Sequence, residues 1–335
     1  MSSLSNLPYG KILDYWYEKL ENEPYRFKFL LTKTLEIFTF KFNRGYVVNR
    51  HNYFDFPTPI ENNVPSNPKL SIVVPAFLEK GHDKQNITNL LKSIEKQTFK
   101  PHSVILIDDC SPIIFPFPSN VIVIRLDRNS GPATARNIGK QIAIDNGSDI
   151  IAFTDTDCIL SETWVETISK SLIDRKDFQI LSGDTHAFDQ GWLGIYHNIN
   201  GTLNGRQIKG SNRLLYGTTA NMAITKKVAE QIDFNEVFPN AAGEDIEFCF
   251  KANQKGFAIS YISTMIVFHN FGYDGQFFKS LKRFRNQFTK YGQGEKILLN
   301  EIPNYYAYFD RTEEIKAQTN GTYRTDFIRN LSKSL

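Results

Sequence analysis

From Leu70 onward, short apolar runs alternate with longer stretches in which apolar residues recur every three or four positions. Leu70 to Pro75, Val104 to Asp108, Val121 to Leu126 and Ile150 to Phe153 have the length and composition of buried strands. Between them, Asn86 to Gln97 sets Ile87, Leu90, Leu91 and Ile94 on one helical face, and Gly131 to Asn146 reads as a helix that Gly147 stops. Strands alternating with helices require crossover connections, so this pattern predicts an α/β fold with a mostly parallel central sheet flanked by helices.

The rhythm loosens after residue 160. Ser161 can cap a helix carrying Val165, Ile168 and Leu172, Gln179 to Ser182 is strand-like, and Gly183 to Gly217 reads as irregular. A strand follows at Asn221 to Ile224. Gly243-Glu244-Asp245 opens a helix with Ile246, Cys249 and Phe250 facing inward, closed by Gly256. Two apolar stretches, Phe257 to Ile262 and Met265 to Phe268, lead to His269. A last helix, about Gln276 to Tyr291, gathers Phe277, Leu281, Phe284 and Phe288 on one side. Residues 1–67 form an aromatic-rich helical extension ending in a linker marked by Pro57, Pro59, Pro65 and Pro68. That extension either packs on the main domain or lies as an amphipathic element on a membrane surface or a partner. The expected division is 1–67, a main domain at 68–294 whose halves meet near residue 158, and a polar tail at 295–335.

With 41% hydrophobic and 22% charged residues the chain has the composition of an ordinary globular protein, and a net charge of +3 gives no reason to expect nucleic acid as the main partner. No apolar run is long enough to span a bilayer, and the polar start lacks the regions of a secretory signal, so the expected location is cytoplasmic. Cys110, Cys158 and Cys249 have no metal-binding spacing and read as packing residues of a reduced protein.

Candidate chemistry collects where the strands end. The fourth runs into Asp155-Thr156-Asp157, and ligands of open α/β sheets bind beyond the carboxyl ends of strands. Two hard carboxylates there suit Mn²⁺ or Mg²⁺ shared with a diphosphate; the alternative is a solvated turn with an Asp cap. The first strand ends Val74-Pro75-Ala76-Phe77-Leu78-Glu79, the second ends Asp108-Asp109-Cys110-Ser111, and the third is followed by Gly131-x4-Arg136-Asn137-x-Gly139.

This ordered set, with Gly243-Glu244-Asp245 further on, resembles the family 2 glycosyltransferases of the GT-A fold, a Rossmann-like sheet architecture, over roughly Leu70 to Gly294. The resemblance implies a nucleotide-sugar donor, most often a UDP-sugar. Its nucleoside would be held by Pro75, Ala76 and Glu79, by Asp109 or Asp108, and by Arg136, whose alternative role is a salt bridge. Asp155 and Thr156 would meet the donor, Asp157 and His269 the ion with Asp155 contributing, and Asp245 would be the base, with Glu244 orienting it or touching the acceptor. It further implies inversion at C1 and a glycan or glycolipid acceptor, as in cell-surface polysaccharide assembly. Trp192, Tyr196, His197 and Tyr216 either stack on the acceptor sugar or belong to the core, and Asn221 would line the site. The late helix reads Arg283-Phe284-Arg285-Asn286-Gln287-Phe288 rather than the Gln-x-x-Arg-Trp of processive members. Competing readings are a catalytically inactive scaffold of the same fold and a nucleotidyltransferase, the latter weakened by the lack of a Gly-rich run with a lysine after the first strand.

Overall fold

The structure, a computed structural model, describes residues 56–189, 191–208, 210–273, 276–302 and 312–314. Helices expected before residue 56, and most of the C-terminal tail, lie outside the described residues.

Strands β1 (Leu70–Ala76), β2 (Ser103–Asp108), β3 (Ile122–Arg125) and β4 (Ile150–Phe153) form a parallel half-sheet. Their alternating side chains serve two cores. Ile72, Val74, Leu106 and Ala152 face helix α1 (Gly81–Glu95), whereas Val73, Ile105, Ile107, Ile151 and Phe153 face helix α2 (Pro132–Asp145). β1, β2 and β4 carry continuous apolar runs because both of their faces are buried, whereas β3 is a partly exposed edge strand.

The second half comprises β5 (Cys158–Leu160), α3 (Trp164–Asp174), β6 (Ile180–Ala187), α4 (Trp192–Asn200), β7 (Arg206–Ile208), β8 (Leu214–Tyr216) and β9 (Met222–Thr225). After these come α5 (Lys226–Ala229), α6 (Glu244–Gln254), β10 (Ile259–His269), α7 (Phe277–Glu301) and β11 (Thr312–Glu314). The main sheet has the order β3-β2-β1-β4-β9-β6-β10-β5, and β11-β7-β8 form a small separate sheet. Only β9 and β5 run against the other six strands of the main sheet. The mostly parallel α/β architecture read from the sequence is therefore present. Because β1 has β2 on one side and β4 on the other, strand order reverses there, which opens a crevice at the carboxyl ends of β1 and β4.

Four local expectations are corrected. The stretch 183–217, read as irregular, continues β6 and holds α4, β7 and β8; its glycines disguised short elements that tertiary pairing stabilises. The two apolar stretches before His269 are one strand, β10, with a register irregularity between Ile262 and Ile266. Helix α6 buries Phe248, Cys249 and Ala252, leaving Ile246 and Phe250 half-buried. Helix α7 extends to Glu301, and its buried residues are Ser280, Gly294 and Leu298 rather than Phe277 and Leu281, which are exposed. A Cβ at Gly294 would come 1.9 Å from the Ala242 carbonyl oxygen, so this glycine lets α7 close against the loop that leads into α6.

The proline-marked stretch is fastened to the domain rather than free. Ile60 N–H donates to the Gly256 carbonyl at 3.1 Å, and the buried Asn62 amide donates to the carbonyls of Leu172, Arg175 and Phe178. No helix among the described residues is long and apolar enough to cross a membrane.

Candidate active site

The end of β2 is a rigid platform. Asp108 accepts from Arg125 Nη1 at 2.5 Å and from Ser111 N–H at 2.9 Å, and Ser111 Oγ accepts from Leu78 N–H in the loop after β1. Asp109 accepts from Ser130 N–H at 2.7 Å with one oxygen and from Gly131 N–H at 2.8 Å with the other. Gly131 has φ +88, a conformation that side chains rarely adopt, and it turns the chain into α2. Between the acids and Ser111, Cys110 has φ +58 and is the only non-glycine residue with positive φ among those described. Both expected base-contacting acids are thus nearly buried and already hydrogen-bonded, each oxygen keeping a lone pair for a ligand. Pro75 and Thr156 are partly exposed at the crevice, Ala76 is buried, and Glu79 stands out in solvent.

Arg136, on the first turns of α2, is almost wholly buried. Its Nη1 donates to Glu244 Oε1 at 2.6 Å and its Nη2 to Asp155 Oδ1 at 2.9 Å. The salt-bridge alternative is therefore the arrangement found, and it joins two motifs separated by some ninety residues of chain. Burial alone works to discharge this guanidinium, but Asp155, Glu244 and Asp245 together hold its pKa above the ordinary value. Burial raises Glu244 despite its partner, and Glu244 Oε2 has no hydrogen-bond partner among the described residues.

Asp245 follows in the first helical turn of α6, with Oδ1 accepting from Ile246 N–H at 2.8 Å. A helix start favours a carboxylate, yet burial and the adjacent Glu244 prevail and lift Asp245 to about 7. That value suits a group that takes a proton near neutral pH.

On the other side of the acid pair, His269 at the end of β10 has its Nε2 3.3 Å from Asp157 Oδ1. β10 reaches this position because it pairs with β5, setting His269 opposite Cys158. The carboxylate, the imidazole and Cys158 have ligand atoms within 4.8 Å of one another. Neighbouring ligands of a six-coordinate ion bound at about 2.1 Å lie about 3 Å apart, so Asp157 and His269 fit a divalent cation. Asp155 is not in that group, being tied to Arg136. Burial raises Asp157, and His269 opposes the shift.

The acceptor side differs from expectation. Trp192 opens α4, and Tyr196 and His197 on the same helix pack into an aromatic cluster with Phe271, Phe284 and Phe288. His197 stacks flat on Phe271 at 3.8 Å, with its ring nitrogens at Thr202 Oγ1 and Tyr273 Oη; burial and His269 bring its pKa to about 3, so the ring is neutral. Tyr216, the last residue of β8, packs partly buried against the α2-side core. Asn221 is corrected: it is fully buried, accepting from Trp164 Nε1 and donating to the Asp184 and Met265 carbonyls, so it braces the wall behind the site instead of lining it. One residue that sequence reasoning missed is Tyr291 of α7. Burial raises its hydroxyl, and both Asp245 and Asp157 add to the shift, so it stands within electrostatic reach of both acids. Its hydroxyl accepts from Gln287 Nε2, and the i, i+4 spacing of 287 and 291 beside Phe284 and Phe288 is the available signal.

The family model described as Glycosyl transferase family 2 matches residues 71–238, about half of the 335-residue chain. An uncharacterized glycosyltransferase of Haemophilus influenzae is 34% identical over 99 residues, 28% of this chain and 31% of that protein. An uncharacterized glycosyltransferase of Bacillus subtilis is 28% identical over 127 residues, 36% of this chain and 44% of its own. The chain thus spans less than half the length of these curated relatives. Among solved structures, S. aureus TarS 1–349 in complex with UDP is similar at 22% identity and TM-score 0.47 over 60% of each chain. GalNAc-T7 with UDP, GalNAc and Mn²⁺ is similar at 17% identity and TM-score 0.46, covering 61% of this chain and 44% of that one. The sheet order, with the acid pair beyond β4, is the GT-A arrangement that the resemblance implied. With the family model matching about half of the chain, the protein belongs to glycosyl transferase family 2.

Proposed function

We propose that this protein transfers a sugar from a nucleotide-sugar, a UDP-sugar first among the candidates, to a hydroxyl of a glycan or glycolipid, with inversion at C1. The observation that supports the reading is the Arg136 bridge, which ties Asp155 to Glu244 at the start of α6; on this reading the donor-side acids and Asp245 share one crevice. Asp108, Asp109 and the loop from Pro75 to Glu79 bind the nucleoside. Asp157 and His269 hold Mn²⁺ or Mg²⁺, which, when bound, supplies charge neutralisation for the departing diphosphate. Asp155 and Thr156 orient the donor at that edge.

Asp245 accepts the proton of the attacking hydroxyl as the new C1–O bond forms and the bond to the diphosphate breaks. A positioned base of this kind is worth about 10²- to 10⁴-fold in rate. Glu244 does not need to touch the acceptor, because its interaction with Arg136 already fixes the orientation of the helix start. A single displacement on the face opposite the leaving group gives inversion.

The test is calorimetric titration with UDP, GDP and dTDP, with and without Mn²⁺, followed by sugar conjugates of the nucleotide that binds and assignment of the product's anomeric configuration by NMR. Metal-dependent binding of one nucleotide and transfer with inversion support the reading. Absence of nucleotide binding under every metal condition would leave an inactive scaffold as the better description.

A further inference from the structure

On the side of α7 that gathers Phe277, Leu281, Phe284 and Phe288, the first two face solvent. Phe277 is 70% exposed, Phe278 83% and Leu281 44%, an unusual concentration of apolar surface on two turns of one helix. These three positions lie on one flank of α7, where the i, i+1, i+4 spacing also brings the exposed Lys282 and Arg285 alongside them. From Phe277 through Gly294 the helix has cations at 279, 282, 283, 285 and 290 and no acid. Arg283 is engaged, donating to the Gly272 carbonyl, whereas Lys279, Lys282 and Arg285 are exposed.

The place of this patch matters as much as its composition. α7 begins eight residues after His269, and Arg283 binds it down onto the loop that leaves the candidate ion site. At the same end of the sheet two more aromatic side chains reach solvent: Phe268, 39% exposed and next to His269, and Phe188, 53% exposed, whose N–H donates to the His269 carbonyl. Aromatic residues with interspersed long cations and no acids match a bilayer interface, where rings enter the acyl boundary and cationic heads reach lipid phosphates.

We propose that the N-terminal half of α7 is an interfacial anchor that seats the protein on an anionic lipid surface, with Phe277, Phe278 and Leu281 inserted and Lys279, Lys282 and Arg285 at the headgroups. The crevice then opens beside the membrane, within reach of a hydroxyl on a lipid-linked acceptor. The anchor is independent of the catalytic role of Asp245, so loss of either leaves the other standing.

The experiment is co-sedimentation of the full chain with vesicles of phosphatidylcholine alone and of phosphatidylcholine mixed with phosphatidylglycerol. Wild type is expected to sediment with the anionic vesicles, and less so as salt is raised. F277S/F278S lowers the partition coefficient at least about tenfold, from the lost insertion of two rings. K282E/R285E lowers it by at least about 25-fold on anionic vesicles, since each of the two lost cations near such a surface is worth about fivefold and the two acids add repulsion. I114S, which alters an exposed apolar residue elsewhere, leaves it unchanged. Thermal melts check that each variant is folded, and the charge-reversal pair provides a second route should the phenylalanine pair fail to fold. The proposal is overturned if wild type stays in the supernatant with anionic vesicles, or if folded F277S/F278S and K282E/R285E both sediment as wild type does. It is likewise overturned if ultracentrifugation shows F277S/F278S abolishing a self-association while vesicle binding is absent, which would assign the patch to a second copy of the chain.

Discussion

Arg136 Nη1 lies 2.6 Å from Glu244 Oε1, and both side chains are almost completely buried. Such a pair is weak evidence for stability, because desolvating two charges offsets most of their attraction. Its structural effect is clearer: it fastens the start of α2 to the start of α6, with Asp155 held by the other arm of the guanidinium. Replacing Arg136 with Met leaves Glu244 buried without its cation, and a loss of about 3–5 kcal/mol is expected in urea unfolding. R136M/E244Q should recover part of that loss. An R136M protein as stable as wild type would show that the bridge contributes no more than packing.

The base assignment has a pH signature. Asp245 titrates at about 7, so transfer should rise with pH through that region and level off above it, and D245N should abolish this limb while retaining donor binding. Initial rates from pH 5.5 to 9 with saturating donor measure it, with about a 10²- to 10⁴-fold fall expected in the variant.

The same group makes an opposite prediction for stability. Its folded pKa lies above the unfolded value of about 3.9, so the folded state holds the proton more tightly. The stabilisation is fully present below about pH 4 and is lost as pH rises to about 7. D245N should therefore melt a few degrees higher than wild type at pH 8 and close to it at pH 4. A variant that is less stable at pH 8 would assign Asp245 a structural role instead.

For the ion site, D157N should remove Mn²⁺ binding measured calorimetrically without nucleotide, and H269Q should weaken it by more than the about 10- to 100-fold typical of a group that only supports a ligand. D155N tests the division of labour between the two acids. With Asp155 held by Arg136 rather than facing the ion group, metal affinity should change little while nucleotide-sugar binding weakens. Equal loss of Mn²⁺ in D155N and D157N would contradict that division.

Asn221 separates bracing from contact. N221A removes the acceptor of the Trp164 indole N–H and the donor to two buried carbonyls, so a destabilisation of at least about 2 kcal/mol is expected, with an unchanged acceptor KM in the fraction that remains folded. A stable N221A with a raised KM would return it to the acceptor surface.

The half from β1 to β4 was legible because its signals are local. Continuous apolar strands followed by acids or glycines describe a parallel sheet with a site at its edge, and β1 to β4 lie within a residue or two of their expected spans. Parts of the second half were not, since they are short and set by pairing: β7 and β8 are three residues each, β8 pairs with β7, and β7 pairs with β11 from distant sequence. Asn221 was placed at the site by the resemblance of Gly217 to Asn221 to a family strand start, and only tertiary structure reveals the three buried groups it satisfies. The exposure of Phe277 and Leu281 was not legible, because helical periodicity names a face but cannot say which end of the helix has a partner. The link between Arg136 and Glu244 was present in the sequence only as two unrelated motifs.

Asn62 gives the stretch before β1 a further significance. One side-chain amide holds the chain to the end of α3 and the turn before β6 at three carbonyls, and Ile60 adds a fourth tie beside α6. A protein cut to begin at Pro68 would expose all four acceptors together and remove Val64 from the core it packs into, so its failure to express would say nothing about catalysis. In recombination with other members of the family, the natural crossover point therefore lies upstream of Phe56, and the proline-marked strip is inherited with the sheet it clasps.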